Sequence, residues 1–492
     1  MSTIEHDATE ATDLIEAPSA TNARTSGAYR SFFLRLHFYA GLFVGPFLLV
    51  AAITGGLYAV APSLEQWIYR DYLHSDTRGE FQPVADQIRA AQQVRPDLTV
   101  TAVRPAAEPG DTTRVMFTDP TLSSSSERRG VFVDPVTAEP VGELTVYGSS
   151  GALPVRTWLS NLHRSLLIGE PGRVYSELAA SWLWLIAIGG VVLWVGRYRQ
   201  MTRRGTGRAR LLSVDRSVAG RARTLNWHGA TGMWIAVGLL FLSATGLTWS
   251  KYAGDHVSEI RSALSWTTPA VATDLAPAEP AAEAGDHAGH GHGGTPVATP
   301  DADAAVTATS VSQVDDALTA ARAAGVGGAV EVSIPNTADT ALTVAQTRQP
   351  WVLSNNSVAV DGATGTITDE SWFADWPLAA KLSAWGIQLH MGTLFGLPNQ
   401  LVLLALAGVL VTVIVRGYLM WWRRRPVTGA RRVGRPPRRG ALTGLPPAAA
   451  VAVVVTAAGV GYLMPLLGLS LLAFLAVDVV VGAVQQRRVE MR

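Results

Sequence analysis

The sequence predicts an α-helical integral membrane protein with about six transmembrane helices, built from a duplicated unit, with two small α+β domains outside the membrane. Three observations predict this class: long apolar runs, histidines repeated at matched positions, and arginine-rich stretches that follow the runs. Of the 492 residues, 48% are hydrophobic and 16% are charged. In a chain of this length, such a composition indicates membrane spans.

The apolar runs set the number of spans. Four of them approach or exceed the ~20 residues needed to cross a bilayer. They cover residues 32–60, 178–195, 233–249 and 397–415. A fifth run, 447–484, is too long for one crossing and is interrupted near Gly461 and Pro465, so it predicts a hairpin of two more spans.

Arginine predicts the orientation. Residues 197–223 contain nine arginines and residues 423–439 contain eight, and short loops this basic remain in the cytoplasm. Both termini are then expected in the cytoplasm, as parts of a multi-pass membrane protein. The first run has no small-residue cleavage site, which indicates an uncleaved anchor. The arginines are interpreted as topology signals that touch anionic lipid, and nucleic-acid binding is not expected.

The domain order follows from these spans. It comprises a disordered tail (1–29), a first span (30–62), a first external domain (63–152), a histidine segment with the second span (153–197), a basic loop (198–224), a third span (225–252), an external segment with a linker rich in alanine, proline, glycine and histidine (253–310), a second external domain (311–376), a histidine segment with the fourth span (377–422), a basic loop (423–445) and a terminal hairpin (446–486). Each external domain shows one amphipathic helix followed by four strand-like runs.

Four histidines mark the duplication. They are His37, His163, His228 and His390. The first histidine of each half precedes a Thr-Gly pair by 17 residues and has a glycine four positions on, Gly41 or Gly232. The second of each half is followed by glycine at six residues and by proline at eight. Two sets of matched spacings indicate an internal repeat.

The residue types favour haem over a bare ion. A histidine at the end of an apolar helix bonds to a neighbour, faces a cavity or binds a metal. Gly41 and Gly232 leave room for a flat macrocycle, although the same spacing also suits close helix packing. Zinc and copper usually take further nitrogen, thiolate or carboxylate ligands, and the chain has no cysteine. We therefore expect one or two haem b groups, each held by two histidines.

Depth predicts which histidines pair. His37 and His228 begin spans that run outward, so they form an inner pair on the cytoplasmic side. His163 and His390 precede spans that run inward, so they form an outer pair. Each outer histidine lies on a short segment separated from its span by a Gly-x-Pro break, which would let the segment bend back toward the membrane.

The runs around the histidines resemble those of the PepSY-associated transmembrane family. They are LHFYAG (36–41), NLHRSLL (161–167), WHGATG (227–232) and QLHMGTLFGLP (388–398). The external domains resemble PepSY domains, and the similarity covers residues 30–425. The family includes inner-membrane ferrisiderophore reductases that bind b-type haem through such histidines, and iron-regulated membrane proteins. The resemblance implies outward electron transfer to a ferric chelate or siderophore.

The electron donor is expected to be another molecule, a membrane quinol or a cytoplasmic flavoprotein. The chain has no Gly-x-Gly-x-x-Gly between a strand and a helix, and the loop after the second span is too short for a flavin domain. Two other functions remain open. One is a non-enzymatic protein whose external domains bind a peptide, protease or metal while the histidines pack. The other is a transporter, which predicts midplane polar residues that the first four spans largely lack.

Two features lie outside the family pattern. The linker carries Asp286, His287, His290 and His292, which either bind a divalent metal weakly or belong to a solvated segment without function. Asp478 lies inside the terminal hairpin with no evident basic partner, and we interpret it as a packing or topology element in preference to a proton site.

Overall fold

The computed structural model describes residues 20–205, 210–275, 300–423 and 446–490. The helices are α1 (Ala20–Phe43), α2 (Gly45–Ala59), α3 (Ala61–Ile68), α4 (Arg70–Leu73), α5 (Val84–Val94), α6 (Pro154–Ser165), α7 (Glu170–Arg203), α8 (Gly220–Thr248), α9 (Tyr252–Ala263), α10 (Pro300–Ser312), α11 (Val314–Ala324), α12 (Leu378–His390), α13 (Leu397–Trp422), α14 (Pro447–Leu463) and α15 (Pro465–Glu490). The strands are β1 (Thr99–Arg104), β2 (Thr113–Thr118), β3 (Glu127–Val133), β4 (Pro140–Tyr147), β5 (Val330–Ser333), β6 (Leu342–Gln346), β7 (Ser357–Asp361) and β8 (Thr366–Ser371).

The described helices include fewer candidate spans than the six expected. Helices α7, α8, α13 and the Pro465–Val484 part of α15 are each long and apolar enough to cross a bilayer. The pair Tyr29–Phe43 and Gly45–Ala59 counts as a fifth span if the two are taken together. Helix α14 has 17 residues, and at about 1.5 Å per residue it falls short of the ~30 Å hydrocarbon core.

The first span is bent by 61° between α1 and α2, where a single helix was expected. The cause is Pro46, which has no N–H to donate to the carbonyl of Leu42. The hydroxyl of Tyr418 on α13 donates to that carbonyl instead, at 2.7 Å. Gly45 allows this approach, because a Cβ there would lie 2.6 Å from the same hydroxyl oxygen. The freed backbone group is thus satisfied by a neighbouring helix, as a membrane interior requires.

The strands of both halves form one antiparallel sheet, in the order β4-β3-β2-β1-β5-β6-β7-β8. Two separate small domains were expected, but the inner edges pair, with Ala102 opposite Ser333 and Val103 opposite Val332. Two separate domains would leave β1 and β5 as unpaired edge strands. Here these two strands pair with each other, so neither remains an edge.

Helices α5 and α11 cover one face of this sheet and share its largest apolar core. The carboxylate of Asp315 on α11 accepts hydrogen bonds from the backbone N–H groups of Val84 and Ala85, at 2.8 and 3.0 Å. It therefore caps the N-terminus of α5, where a negative charge is favourable. The opposite face of the sheet turns toward α3, α4 and α6 and so toward the helical bundle.

The expected breaks before the second and fourth spans are present. Helix α6 ends at Ser165, and Gly169 then has a φ of 69°; α12 ends at His390, and Gly396 has a φ of 58°. The linker differs from expectation at its C-terminal end, because residues from Pro300 onward form α10. Most of the linker, including Asp286, His287, His290 and His292, lies outside the described residues, as does most of the second basic loop.

Candidate functional site

The inner histidine pair consists of His37 on α1 and His228 on α8. The ring centres of His37 and His228 are 6.2 Å apart, with the ring planes at 76°. Two imidazoles that bind one metal along a common axis have ring centres about 6 Å apart, since each metal–nitrogen bond is about 2 Å. The separation of these two rings therefore suits a shared metal ion.

The outer histidine pair lies at the end of the bundle that carries the sheet. His163 near the end of α6 and His390 at the end of α12 line one cavity of about 270 Å³. Its walls are largely apolar and come from α2, α7, α8 and α13, including Leu48, Leu183, Leu239, Leu242, Leu403 and Leu410. Its polar residues include Arg164, Arg173 and Lys251. Glu177 also lines the cavity, and Lys251 and Arg173 are both paired with Glu170. An apolar cavity with two histidines suits a flat macrocycle.

Each of the four imidazoles is held through Nδ1. His37 and His228 lie 2.9 Å from the backbone carbonyls of Ile186 and Val413, respectively. A carbonyl oxygen only accepts, so the Nδ1–H of each ring must be the donor. This tautomer leaves Nε2 with its lone pair. Orienting a ligand histidine through its other ring nitrogen is the usual arrangement at metal sites.

The outer pair is held by threonine hydroxyls. Nδ1 of His163 lies 3.0 Å from Oγ1 of Thr54, and Nδ1 of His390 lies 2.7 Å from Oγ1 of Thr245. Both hydroxyls already donate to carbonyls of their own helix, at 2.9 and 2.7 Å. Each threonine therefore accepts from the Nδ1–H group, and again Nε2 is the nitrogen that remains for a metal.

The two halves repeat this arrangement residue by residue. Ile186 follows His163 by 23 residues, and Val413 follows His390 by the same number. Thr54 and Thr245 belong to the Thr-Gly pairs that mark the repeat in the sequence. The matched spacings of these partners were thus visible in the sequence, but nothing in the sequence indicated that they contact the histidines.

Glycines line the histidine rings. A Cβ on Gly55 would lie 3.0 Å from the ring of His163, and one on Gly190 would lie 3.1 Å from the ring of His37. At Gly41 and Gly232, by contrast, a Cβ would meet no described atom within 4 Å. A role of these two positions in accommodating a macrocycle stays a prediction. Among the described residues, no group of three or more histidine, aspartate or glutamate side chains could hold a metal ion.

A second cavity, of about 490 Å³, lies at the opposite end of α7 and α8. Arg197, Arg204 and Arg210 line it together with Trp194. The indole of Trp194 packs on the backbone of Gly229, the residue after His228, since a Cβ there would lie 2.2 Å from the ring. Trp194 therefore belongs both to the wall of this cavity and to a contact with α8 next to His228.

Asp478 has a basic partner that the sequence did not reveal. Its carboxylate forms an ion pair with Arg35 on α1, two residues before His37. The same hairpin is bound to α7, where the indole N–H of Trp182 donates to Ser470 at 2.9 Å. The expectation that Asp478 lacks a partner was wrong, and its role in packing α15 against α1 follows from this contact.

A bundle of apolar helices with an antiparallel sheet at one end defines a multi-pass membrane protein. Residues 34–424 match the family model described as PepSY-associated TM region, and the chain belongs to this family. No curated protein matches the sequence. Helices α14 and α15 lie beyond the matched residues.

Proposed function

We propose that this protein binds haem b at both histidine pairs and carries electrons across the bacterial inner membrane to an external ferric chelate, as a ferrisiderophore reductase does. The observation that supports this best is the state of the imidazoles. All four are held through Nδ1 and lie in two pairs, so that each pair offers two Nε2 atoms to one iron. Haem held by two histidines supplies one-electron redox chemistry.

The chain's own residues set the environment of this chemistry. The carbonyls of Ile186 and Val413 and the hydroxyls of Thr54 and Thr245 orient the ligand nitrogens. Apolar side chains of the outer cavity exclude water and so influence the redox potential. Two histidines would hold each haem, which suits electron transfer in preference to binding of a small molecule at the metal.

The direction of transfer follows from the arginine distribution. The basic loop after α7 supports an orientation with the inner pair on the cytoplasmic side, the sheet outside and both termini in the cytoplasm. The donor is a membrane quinol or a cytoplasmic flavoprotein, and the cavity beside Trp194 is the place where it would approach the inner pair. The acceptor is a ferric chelate on the sheet side, consistent with membership in a family of iron-regulated membrane proteins.

The decisive experiment is haem-to-protein stoichiometry of the purified full chain, measured as its pyridine haemochrome. We expect two haems in the wild type and one in His37→Ala or in His163→Ala. His74→Ala serves as the control, because its side chain is about half exposed and pairs with Asp111 away from both sites. Pigment-free protein from haem-replete cells that cannot be reconstituted would refute the proposal. It would favour the alternative of external domains that bind a peptide, protease or metal.

A second experiment tests the reaction. Chemically reduced protein is mixed with a ferric chelate in a stopped-flow instrument, and the α-band of the reduced form is followed. Loss of the band together with formation of ferrous iron is expected. A reduced spectrum that persists with every chelate tested would show that the protein has another acceptor.

A further inference from the structure

The face of the sheet that turns toward the bundle carries an unusual concentration of arginine. Side chains alternate along a strand, so the residues next to the core valines point away from α5 and α11. Arg104 and Arg114 occupy such positions on β1 and β2 and lie opposite each other in the register. Arg128 on β3 alternates in step with Phe132, which packs on the bundle side of the sheet. Glu331 on β5 lies on the same face, between Val330 and Val332 of the core.

Two further arginines join this group from other elements. Arg156 lies on α6, with Nη1 3.8 Å from a carboxylate oxygen of Glu65 on α3. Arg348 lies in the loop between β6 and β7, and its solvent-exposed side chain makes no hydrogen bond or ion pair with the described residues. We call the five residues Arg104, Arg114, Arg128, Arg156 and Arg348 the arginine cluster.

The arginine cluster is not neutralised by its own carboxylates. Glu331 forms ion pairs with Arg104 at 2.6 Å and with Arg128 at 3.2 Å, and Glu65 forms one with Arg156. Five guanidinium groups thus face two carboxylates. Burial raises the pKa of Glu65 above its ordinary value, although Arg156 opposes this. Positive charges held together away from water are unfavourable without counter-charge, and an anion would supply it.

Unused donors indicate where such an anion would bind. Nε of Arg156 and Nε of Arg114 are buried without a hydrogen-bond partner, and Arg156 is only 7% exposed. Buried donors are normally paired, so two such groups in one cluster point to a missing acceptor. Arg348 supplies the solvent-accessible side of the cluster, where Arg156 and Arg104 are its charged neighbours.

The arginine cluster lies close to the outer histidine pair. Arg156 and His163 are seven residues apart on α6, which places them two turns apart on the same face. Tyr58 is stacked on His163, with ring centres 6.4 Å apart and planes at 7°. Tyr58 is also a near electrostatic neighbour of Arg348. A ligand bound among these arginines would therefore lie beside the outer pair.

We propose that the arginine cluster is the docking site for the acceptor, and that the acceptor is an anionic ferric chelate whose iron is held by carboxylate or catecholate oxygens. This inference rests on the proposed function, because it assigns a substrate class to the same electron path. Planar guanidinium groups bind such oxygens in pairs, which provides orientation as well as affinity. A cationic chelate is excluded from this site by the same charges.

The test measures binding without electron transfer. Gallium(III) citrate replaces the ferric complex, because gallium has the same charge and is not reduced, and binding to the full-length, haem-loaded protein is measured by equilibrium dialysis. The wild type should bind it, more weakly as salt is raised. Arg348→Gln and Arg156→Gln should each weaken binding at least about tenfold, the effect of losing roughly 1.4 kcal/mol.

Matched controls separate this site from general charge. Arg89→Gln removes an exposed arginine from α5 on the opposite face of the sheet and should leave binding unchanged. A gallium complex of a cationic trihydroxamate should bind no more tightly to the wild type than to Arg348→Gln. If gallium citrate does not bind, or if Arg348→Gln binds it as tightly as Arg89→Gln does, the inference is wrong. Because Arg348 is exposed, its variant remains informative even if Arg156→Gln fails to fold.

The haem spectrum is recorded on the same samples, so the two proposals fail in different ways. Pigmented protein without citrate-dependent binding overturns the docking site alone. Pigment-free protein that binds gallium citrate through Arg348 overturns electron transfer and leaves an anion-binding sheet.

Discussion

Thr54 on α2 accepts a hydrogen bond from Nδ1 of His163 on α6, at 3.0 Å, although the two residues are 109 positions apart. Its hydroxyl also donates to the carbonyl of Val50 in its own helix. The threonine is therefore fixed by its helix and in turn fixes the tautomer of the histidine. The same relationship between Thr245 and His390 in the second half shows that both halves contain the histidine together with the threonine that orients it.

Thr54→Ala should weaken haem binding at the outer pair and leave the inner pair intact. Loss of a partner that orients a metal-ligating histidine typically costs about 10–100-fold in metal affinity. The measurement is the transfer of haem from the variant to an apo-acceptor protein over time. One of the two haems should leave Thr54→Ala faster than it leaves the wild type. Thr54→Ser keeps the hydroxyl and should behave as the wild type. Thr248→Ala removes a hydroxyl of α8 that, among the described residues, donates only to the carbonyl of Ala244 in its own helix. Equal haem loss from Thr54→Ala and Thr248→Ala would contradict the assigned role.

Gly55→Ala and Gly246→Ala form a matched pair related by the repeat. A Cβ at Gly55 would lie 3.0 Å from the His163 ring, whereas at Gly246 the nearest atom of His390 is 3.6 Å away, an ordinary contact. We therefore expect Gly55→Ala to displace the imidazole of His163 and to shift the redox potential of the haem bound at the outer pair. Spectroelectrochemical titration should show a larger shift for Gly55→Ala than for Gly246→Ala. The opposite ranking would mean that this contact does not position the imidazole.

Asp478→Asn should destabilise the packing of α15 against α1. The ion pair with Arg35 is largely shielded from solvent, with the two side chains 11% and 28% exposed. Removing one charge leaves the other poorly compensated, at a cost on the order of 1–3 kcal/mol. Thermal unfolding of the purified protein should shift to lower temperature. The double variant Arg35→Leu with Asp478→Leu removes both charges and should recover part of the loss; an additive loss would show that the pair is not coupled.

Asp119→Asn should lower stability at neutral pH and lose its effect in acid. Hydrogen bonds from the hydroxyl and N–H of Thr121, and then from Arg129, lower the pKa of Asp119 to about 2. A carboxylate with a depressed folded-state pKa stabilises the fold above its unfolded pKa of about 3.9 and ceases to do so as the pH falls toward 2. Unfolding temperatures of wild type and variant should thus converge over that range. Asp316→Asn, an exposed position on α11, should give parallel curves.

The histidine pairs were predictable because repetition and depth are properties of the sequence. Apolar runs predict the spans, arginines predict the sides, and equal spacings identify equivalent positions. The partners of those histidines were not predictable, since Thr54 reaches His163 only after α6 folds back on α2. Asp478 appeared unpaired for the same reason, because Arg35 is 443 residues away in the chain.

The strands of the sheet also combine features that the sequence predicts with features that it does not. Alternating apolar residues identify each strand and the face it buries, but alternation does not specify the neighbour along an edge. The pairing of β1 with β5 depends on two edges being brought together by helices anchored in one bundle. The arginine cluster could not be expected either, because its members come from five separate elements and their charges concentrate only when the sheet has formed.

The amino-acid sequence by itself determined the membrane class, the duplication, the four histidines and their division into two pairs, since hydrophobic length and periodicity act locally along the chain. Only the tertiary structure decided the bend at Pro46, the single eight-stranded sheet, the Nδ1 partners and the ion pair of Arg35 with Asp478. These features depend on directional contacts between distant segments, and such contacts exist only after the backbone has been placed in space.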